Sequence, residues 1–313
     1  MSQTIARRTV IVDETVRVHH LLDREDVLGP LMLAPLLIYL VALVGLPLIF
    51  VFIYSFSDAT TGSDTFNLVG LQTFQNTLAD PVFRIALRNT VVFTVLAQLV
   101  VVVLATILGF LLSANFRGKW VVRFLVLLPW TTPVALSALV WLWMLDSLFS
   151  PFNWILGQLH MIEQGSPIAW LGQDNLAVAS VVALQAWRTL PLAAVILMAG
   201  LTSIPPDLNE QAEVDGAGFW KRFFDITMPL LAPIMMVAIL FGIVATFTDM
   251  AAVYILTRGG PGNATQVLGS WSFYTGIQGG SLAQGAAIGI FMFPVLLGVC
   301  ILMLRRASQS DIA

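Results

Sequence analysis

The 313 residues are 58% hydrophobic and only 11% charged, with a mean hydropathy of +0.88, whereas a soluble globular domain carries about a quarter charged residues. That composition excludes an ordinary soluble fold and fits a lipid solvent. Fifteen Lys and Arg against eighteen Asp and Glu leave a net charge of -3, which argues against nucleic acid as a partner and against a polybasic membrane patch. The single cysteine, Cys300, lies in an apolar run; it can form no intrachain disulfide and reads as a small core residue.

In chain order, residues 1–28 form a mixed-charge cytoplasmic segment. Val18, Leu21, Leu22, Val27 and Leu28 suggest an interfacial amphipathic stretch, with simple terminal disorder as the competing reading. His19 and His20 are adjacent, so they point apart on a helix, and both read as solvated. The stretch lacks the short apolar core and small-residue cleavage site of a signal peptide, so the first apolar run is expected to remain as an anchor.

A helix needs about 20 apolar residues to cross the hydrocarbon core. Six charge-poor segments meet that need, at 31–56, 87–113, 122–145, 176–201, 230–256 and 284–304. Their apolar runs are continuous rather than alternating, which indicates helices and not barrel strands. The expected fold is an all-α integral membrane protein with six transmembrane helices in a permease domain over 29–306, followed by a short cytoplasmic tail, 307–313. Pro35, Pro47, Pro129, Pro133, Pro191 and Pro294 fall inside these spans, where kinks rather than breaks are expected. The uncharged stretch from Gly259 to Gly285 is rich in Gly, Ser, Thr, Gln and Pro, and is expected to be an external loop that dips into the protein. "GAAIG" at 285–289 spaces two glycines to admit a close helix neighbour, or is ordinary glycine content of a membrane helix.

Charge position orients the chain. With the N-terminus cytoplasmic, the inner segments hold Arg7, Arg8, Arg17, Arg24, Arg117, Lys119, Arg123, Lys221, Arg222, Arg305 and Arg306, and the outer ones only Arg84, Arg88 and Arg258. The positive-inside rule then gives both termini inside. Catalytic signatures are absent: Gly118-Lys119 is followed by Trp120, with Ser113 where a P-loop needs its first glycine, and no H-E-x-x-H, C-x-x-C or G-x-S-x-G occurs.

The polar interval 203–229 contains "DLNEQAEVDGAGFWKRFFDITMP". Asp207 is placed to cap a short helix carrying Glu210 in its first turn, glycines at 216 and 218 interrupt it, and Phe219, Phe223, Phe224 and Ile226 start a second apolar pattern. The elbow suits a docking knob, or an amphipathic segment on lipid headgroups.

The spacing Glu210-x-Ala212-x3-Gly216-x9-Ile226-x2-Pro229 resembles the EAA loop, E-A-A-x3-G-x9-I-x-L-P, of permease subunits of binding-protein-dependent ATP-binding-cassette (ABC) importers. Gln211 and Met228 depart from that pattern, replacing Ala and Leu. "FNLVGLQTFQNTLADPVFRIALRNT", "LLPWTTPVALSALVWLWM", "QAWRTLPLAAVILMAGLTSIPPDL" and "LTRGGPGNAT" resemble the maltose-transporter-like first permease of the carbohydrate-uptake branch. The resemblance implies a type I ABC importer permease fold in a bacterial or archaeal plasma membrane. It implies partners too: a second permease subunit, two ATPase subunits that bind ATP and Mg, so that this chain needs no cofactor, and an extracytoplasmic solute-binding protein or lipoprotein delivering a sugar-type solute. It assigns the ATPase contact to Glu210, Gln211 and Ala212, the bend to Gly216, and a cap on the second helix to the adjacent Asp215.

Within the spans only Arg188 and Asp249 are charged and deep, and such charges are costly in a bilayer. Gln185 and Arg188 share a helix face, and the depth difference between Arg188 and Asp249, roughly 9 Å at 1.5 Å per residue, is within reach of an arginine. Asn89, Gln185, Trp187, Arg188, Asp249 and Tyr254 are candidates for the solute path; a buried ion pair or helix-packing network is the competing reading. Trp141 and Trp143 are further stacking candidates set against interfacial packing, and Gln98, Thr246 and Thr248 further polar ones. Residues 146–175 lack Lys and Arg and are long enough for a binding-protein platform or a plain connector. Two alternatives stand: a self-sufficient secondary transporter or channel using Arg188 and Asp249, and, within the importer class, glycerol 3-phosphate as solute.

Overall fold

The structure, a computed structural model, describes residues 25–63, 65–163 and 166–310; His19, His20 and most of the N-terminal amphipathic stretch lie outside them. Two compact units divide at Phe50. The first holds α1 (Glu25–Leu40), a π-turn (Val41–Gly45) and the start of α2 (Leu46–Ser55). Together these make one apolar run, Leu28–Ser55. Pro47 has no N–H to donate, and the wider π-turn lies immediately before it, where a proline disturbs the hydrogen-bond ladder.

The second unit begins with a loop closed by a bridge between Ser57 and Leu68. It continues through α3 (Gln72–Ala79), α4 (Pro81–Ser113), α5 (Lys119–Thr131), α6 (Val134–Met144), α7 (Pro151–Gln158) and α8 (Asp174–Ser203). After α9 (Pro206–Val214) come α10 (Phe219–Arg222), a π-turn (Phe223–Thr227), α11 (Met228–Phe247), α12 (Ala251–Leu256), α13 (Leu268–Phe273), a third π-turn (Tyr274–Gln278) and α14 (Leu282–Ser310). No strand longer than that single bridge occurs among the described residues. Among the described residues five helical runs are long and apolar enough to cross a bilayer, and α5 and α6 make a sixth when taken together as one bent span.

The fully buried centre lies between α4 and α8, with α11 packed on both, around Val101, Ala105, Leu112, Ala194, Leu197 and Leu231. Small residues at these contacts let the helices approach closely, as van der Waals packing in lipid requires.

Two spans are broken, the third at an expected proline kink and the fifth where no kink was expected. The third divides into α5 and α6, which meet at 95°. Thr132 is extended, at φ -75° and ψ 132°, as a residue preceding proline prefers, and Pro133 starts the new helix. The hydroxyls of Thr131 and Thr132 both donate to the Leu128 carbonyl, at 3.0 and 2.8 Å, alongside the Thr132 backbone N–H at 3.2 Å, so the last turn of α5 closes on that one carbonyl. The fifth span stops at Phe247 and restarts at Ala251, leaving Asp249 in the gap. At its other end it has no loop before residue 230, because α10, the π-turn and α11 form one helical run, Phe219–Phe247.

The Gly-rich interval after Gly259 folds inward, with Thr265, Gln266, Leu268 and Ser270 buried. Its third π-turn lies against α14 at "GAAIG", where a Cβ on Gly285 would sit 2.5 Å from Gly276 Cα and 2.9 Å from the Ser272 carbonyl oxygen. Gly289 has nothing closer than 4.0 Å. Only the first of the two glycines is therefore required for close approach. Gly285→Ala should destabilise the purified protein by about 1–3 kcal/mol, the usual cost of overpacking a filled contact. Gly289→Ala should stay within about 0.5 kcal/mol, and thermal unfolding of the two variants side by side checks the contrast.

Candidate functional site

Asp249 organises the deep polar cluster. Its Oδ2 accepts from the Arg188 guanidinium at 2.6 Å and from the Gln185 side-chain amide at 2.6 Å. Arg188 also donates to Gln185 Oε1, at 3.2 Å. The other carboxylate oxygen accepts from the Ala252 backbone N–H at 3.2 Å, capping α12. The Arg188 and Asp249 side chains are 16% and 8% exposed, so most of their solvation comes from each other and from Gln185. The break in the fifth span has a local cause: Thr248 donates its hydroxyl back to Val244, at 2.8 Å, and Asp249 offers its carboxylate to the next helix, two side-chain bonds that compete with the helical ladder.

Trp187, on the adjoining face of α8, is 37% exposed and tilts against Trp141 at 5.9 Å between ring centroids. Trp143 is exposed. Gln98 is buried beside Thr246, its amide 3.4 Å from the hydroxyl, and its Oε1 has no partner among the described residues. Gly242 faces that amide, leaving room for it where a side chain would collide.

Asn89 and Tyr254 stand apart from this cluster. The Asn89 amide donates to the carbonyls of Ala264 and Gln266, at 2.9 and 3.0 Å, and so pins the inward-folded loop to α4. Thr90 Oγ1 accepts from the Leu268 N–H beside it, at 2.8 Å. Tyr254 packs between Phe273 and Tyr274, and its hydroxyl accepts from the Gln278 amide at 3.1 Å.

The second constellation is the elbow. Pro205 precedes α9 and Pro206 occupies its first turn, where a missing N–H costs nothing. Asp207 therefore lies inside the first turn and does not cap the helix as expected. Glu210 lies beyond that turn, and with Gln211 it is exposed; Ala212 is half-buried. Gly216 adopts φ +80°, the left-handed conformation that glycine accepts most readily. The Gly216 N–H donates to Glu213, at 3.0 Å, and the Ala217 N–H to Ala212, at 2.9 Å, closing a Schellman turn. Asp215 is the C-cap of α9, and Gly218 precedes α10 with no side-chain cap, which corrects the expectation that Asp215 caps the second helix.

Across the bend, Arg222 pairs with Glu213 at 2.7 Å. Sequence reasoning missed this pair, because charges nine positions apart meet only once the glycine bend exists. It also missed Arg123, which donates twice to the Leu112 carbonyl, at 3.1 and 2.6 Å, and ties α5 to the end of α4. In the segment after α6, Asn153 is buried; its amide donates to Ser147 and Ile168, and its oxygen accepts from Trp170. Backbone N–H groups of Phe149 and Leu148 hold the Asp146 carboxyl below its usual pKa. No group of His, Cys, Asp and Glu suited to a metal ion occurs among the described residues.

Long apolar helices around a buried polar cluster, with an exposed helical elbow at one end, define a multi-pass membrane permease. The family described as binding-protein-dependent transport system inner membrane component matches residues 102–310. The trehalose/maltose transport system permease protein MalF of Thermococcus litoralis is 34% identical over 90% of this chain and 94% of its own length. The sulfoquinovosyl glycerol transport system permease protein SmoG of Agrobacterium fabrum is 30% identical over 93% and 94%. In solved structures, a chain of a bacterial ABC transporter that imports the acidic polysaccharide alginate shares the fold, with a TM-score of 0.78, 20% identity and coverage of 92% and 97%. The chain belongs to the binding-protein-dependent transport-system inner-membrane component family, and is a permease subunit of an ABC importer rather than an enzyme.

Removing one partner of a buried ion pair strands the other charge, at a cost of about 3–5 kcal/mol, whereas replacing both with apolar groups of similar size is often near neutral. Asp249→Leu alone and Arg188→Leu alone should each lower thermal stability by that order, and the double variant should recover most of it. Thermal unfolding of the three proteins checks this. Recovery in the double variant is expected to be incomplete, because the cap on α12 is lost with the carboxylate.

Proposed function

We propose that this chain carries a sugar-type solute across the membrane, past the Gln185–Arg188–Asp249 cluster and the neighbouring Trp187. A second permease subunit completes the path, an extracytoplasmic binding protein delivers the solute, and two ATPase subunits that hold ATP and Mg drive the cycle. Both termini are cytoplasmic in this reading, which puts the elbow at Gly216 on the ATPase side. Asn89 and Tyr254 then act as supports of the inward-folded loop.

The observation that carries the reading is the elbow itself. Glu210 and Gln211 face solvent on a helix stiffened by the Schellman turn and by the Arg222–Glu213 pair, and α10 continues directly into a helical run that ends at the residue before Thr248. A docking surface joined without an intervening loop to the edge of the deep cluster suits a permease driven from outside. A self-sufficient transporter has no use for it.

Within the importer class, Asp249 neutralises Arg188, which favours an uncharged sugar. The trehalose/maltose relative supports that solute class. The sn-glycerol-3-phosphate transport system permease protein UgpA of Agrobacterium fabrum, 31% identical over 78% of this chain, keeps glycerol 3-phosphate as the second reading.

In proteoliposomes holding the whole importer, Glu210→Ala is expected to reduce uptake of trehalose or maltose at least about tenfold, equivalent to roughly 1.4 kcal/mol of lost coupling. Complex assembly and sugar binding by the binding protein should be unchanged. Uptake that is unaffected by this substitution, or that proceeds without ATP, overturns the proposal.

A further inference from the structure

At the end of the molecule opposite the elbow, a cleft of roughly 380 Å³ opens between the bridged loop, α3 and the start of α14. It takes no part in the deep cluster. Asp58, Gln72, Thr73, Asn76, Ser281 and Gln284 supply its polar lining. The side-chain amides of Gln72, Asn76 and Gln284 make no hydrogen bond to protein among the described residues. Three amides thus offer donors and acceptors into one concavity.

The walls are held from behind. Thr73 donates its hydroxyl to the Ser57 carbonyl at 2.7 Å, the Ala283 N–H donates to Ala59 at 3.0 Å, and the Thr61 N–H donates to Gly280 at 2.7 Å. The Asn67 backbone N–H and side-chain amide both donate to Asp58, at 2.6 and 3.1 Å, fixing the carboxylate and holding its pKa below the ordinary value. The cleft is therefore shaped before anything enters it, and its volume falls within the range of about 300–1,000 Å³ common for small-molecule sites.

The chemistry narrows the ligand. Among the described residues Asp58 is the only charged group in the lining, so an anion meets a like charge there. Amides and hydroxyls, each able to donate and accept, match a ligand that carries many hydroxyl groups. The geometry points to an outer sugar subsite: a neutral disaccharide rests in this cleft by hydrogen bonds to Asn76, Gln72 and Gln284, separately from the deep path. The inference rests on the orientation and solute class proposed above.

The test uses the complete importer in nanodiscs without its binding protein, in a Cys300→Ser background. Val69, an apolar residue of the cleft lining, is replaced in Val69→Cys, and Gln75, which is exposed on α3 and outside the lining, in Gln75→Cys. Trehalose or maltose is expected to slow labelling of Val69→Cys by a membrane-impermeant maleimide at least about threefold, as roughly two-thirds occupancy of a weak site requires. Gln75→Cys should be unaffected, and adding Asn76→Leu with Gln284→Leu should abolish the protection. Equal labelling with and without sugar overturns the subsite. Protection that appears only when the binding protein is added also overturns it, because the cleft then seats a protein loop. Uptake is measured on the same preparations with the binding protein restored: lost protection with intact uptake removes the subsite alone, whereas absent uptake removes the sugar-importer reading and leaves the subsite to the labelling result.

Discussion

A carboxylate placed in an apolar helix has to be neutralised and hydrogen-bonded on both oxygens, since the bilayer core offers no water to do it. Asp249 meets that demand in two directions. One oxygen takes Arg188 and Gln185 from α8; the other takes the Ala252 N–H in the first turn of α12. The same group therefore ties α8 to the fifth span and ends that span. Position and charge are coupled: the α11–α12 gap is where the ion pair can form, and the ion pair is what lets the gap exist at that depth.

Similar economy governs the third span. Where α5 ends before Pro133, the Thr131 and Thr132 hydroxyls are taken up by the Leu128 carbonyl of their own helix, so neither is left without a partner in lipid. The inward-folded loop follows the same rule. Its carbonyls at Ala264 and Gln266 are met by Asn89, and the N–H at Leu268 by Thr90. In that loop irregular backbone is kept where side chains on a neighbouring helix supply the missing bonds. Asn89 and Thr90 thus make sense as loop anchors without any contact to solute.

Spans were legible in the sequence because charge-free runs of the required length seldom occur outside a bilayer. That Arg188 could reach Asp249 was legible too, from a depth difference of roughly 9 Å counted along two opposed helices; the sequence left pairing and a place on the solute path as alternatives, and the structure shows the pair. The breaks were not. Pro133 and Pro191 look alike within apolar runs, yet α8 continues through Pro191 while the chain turns at Pro133; what differs is the extended Thr132, a backbone state with no composition signal of its own. The elbow was legible at Gly216, whose spacing and conformation agree. Its helix ends were misread because Pro205 and Pro206 start α9 and backbone N–H groups close it, leaving Asp207 and Asp215 without the capping work their residue types suggest. The outer cleft left no trace at all, since its amides come from α3 and α14, about two hundred positions apart.

The run from Phe219 to Phe247 has 29 residues, roughly 43 Å at 1.5 Å per residue, and it links the two constellations without an intervening loop. Its start is fixed to the elbow by Arg222, and to α4 by Phe223, tilted against Phe110 at 5.8 Å. Its end lies two residues from Asp249. A rod of that length transmits a tilt at the elbow as a displacement at the gap, where Thr248–Met250 is the natural place for the chain to yield. The π-turn at Phe223–Thr227 adds a second point of give near the driven end. Movement imposed at the elbow would therefore reach Asp249 before it reached α12, and would strain the bonds to Arg188 and Gln185 first. Under the proposed coupling, the most deeply placed charges in the chain are the first to register the partner's push.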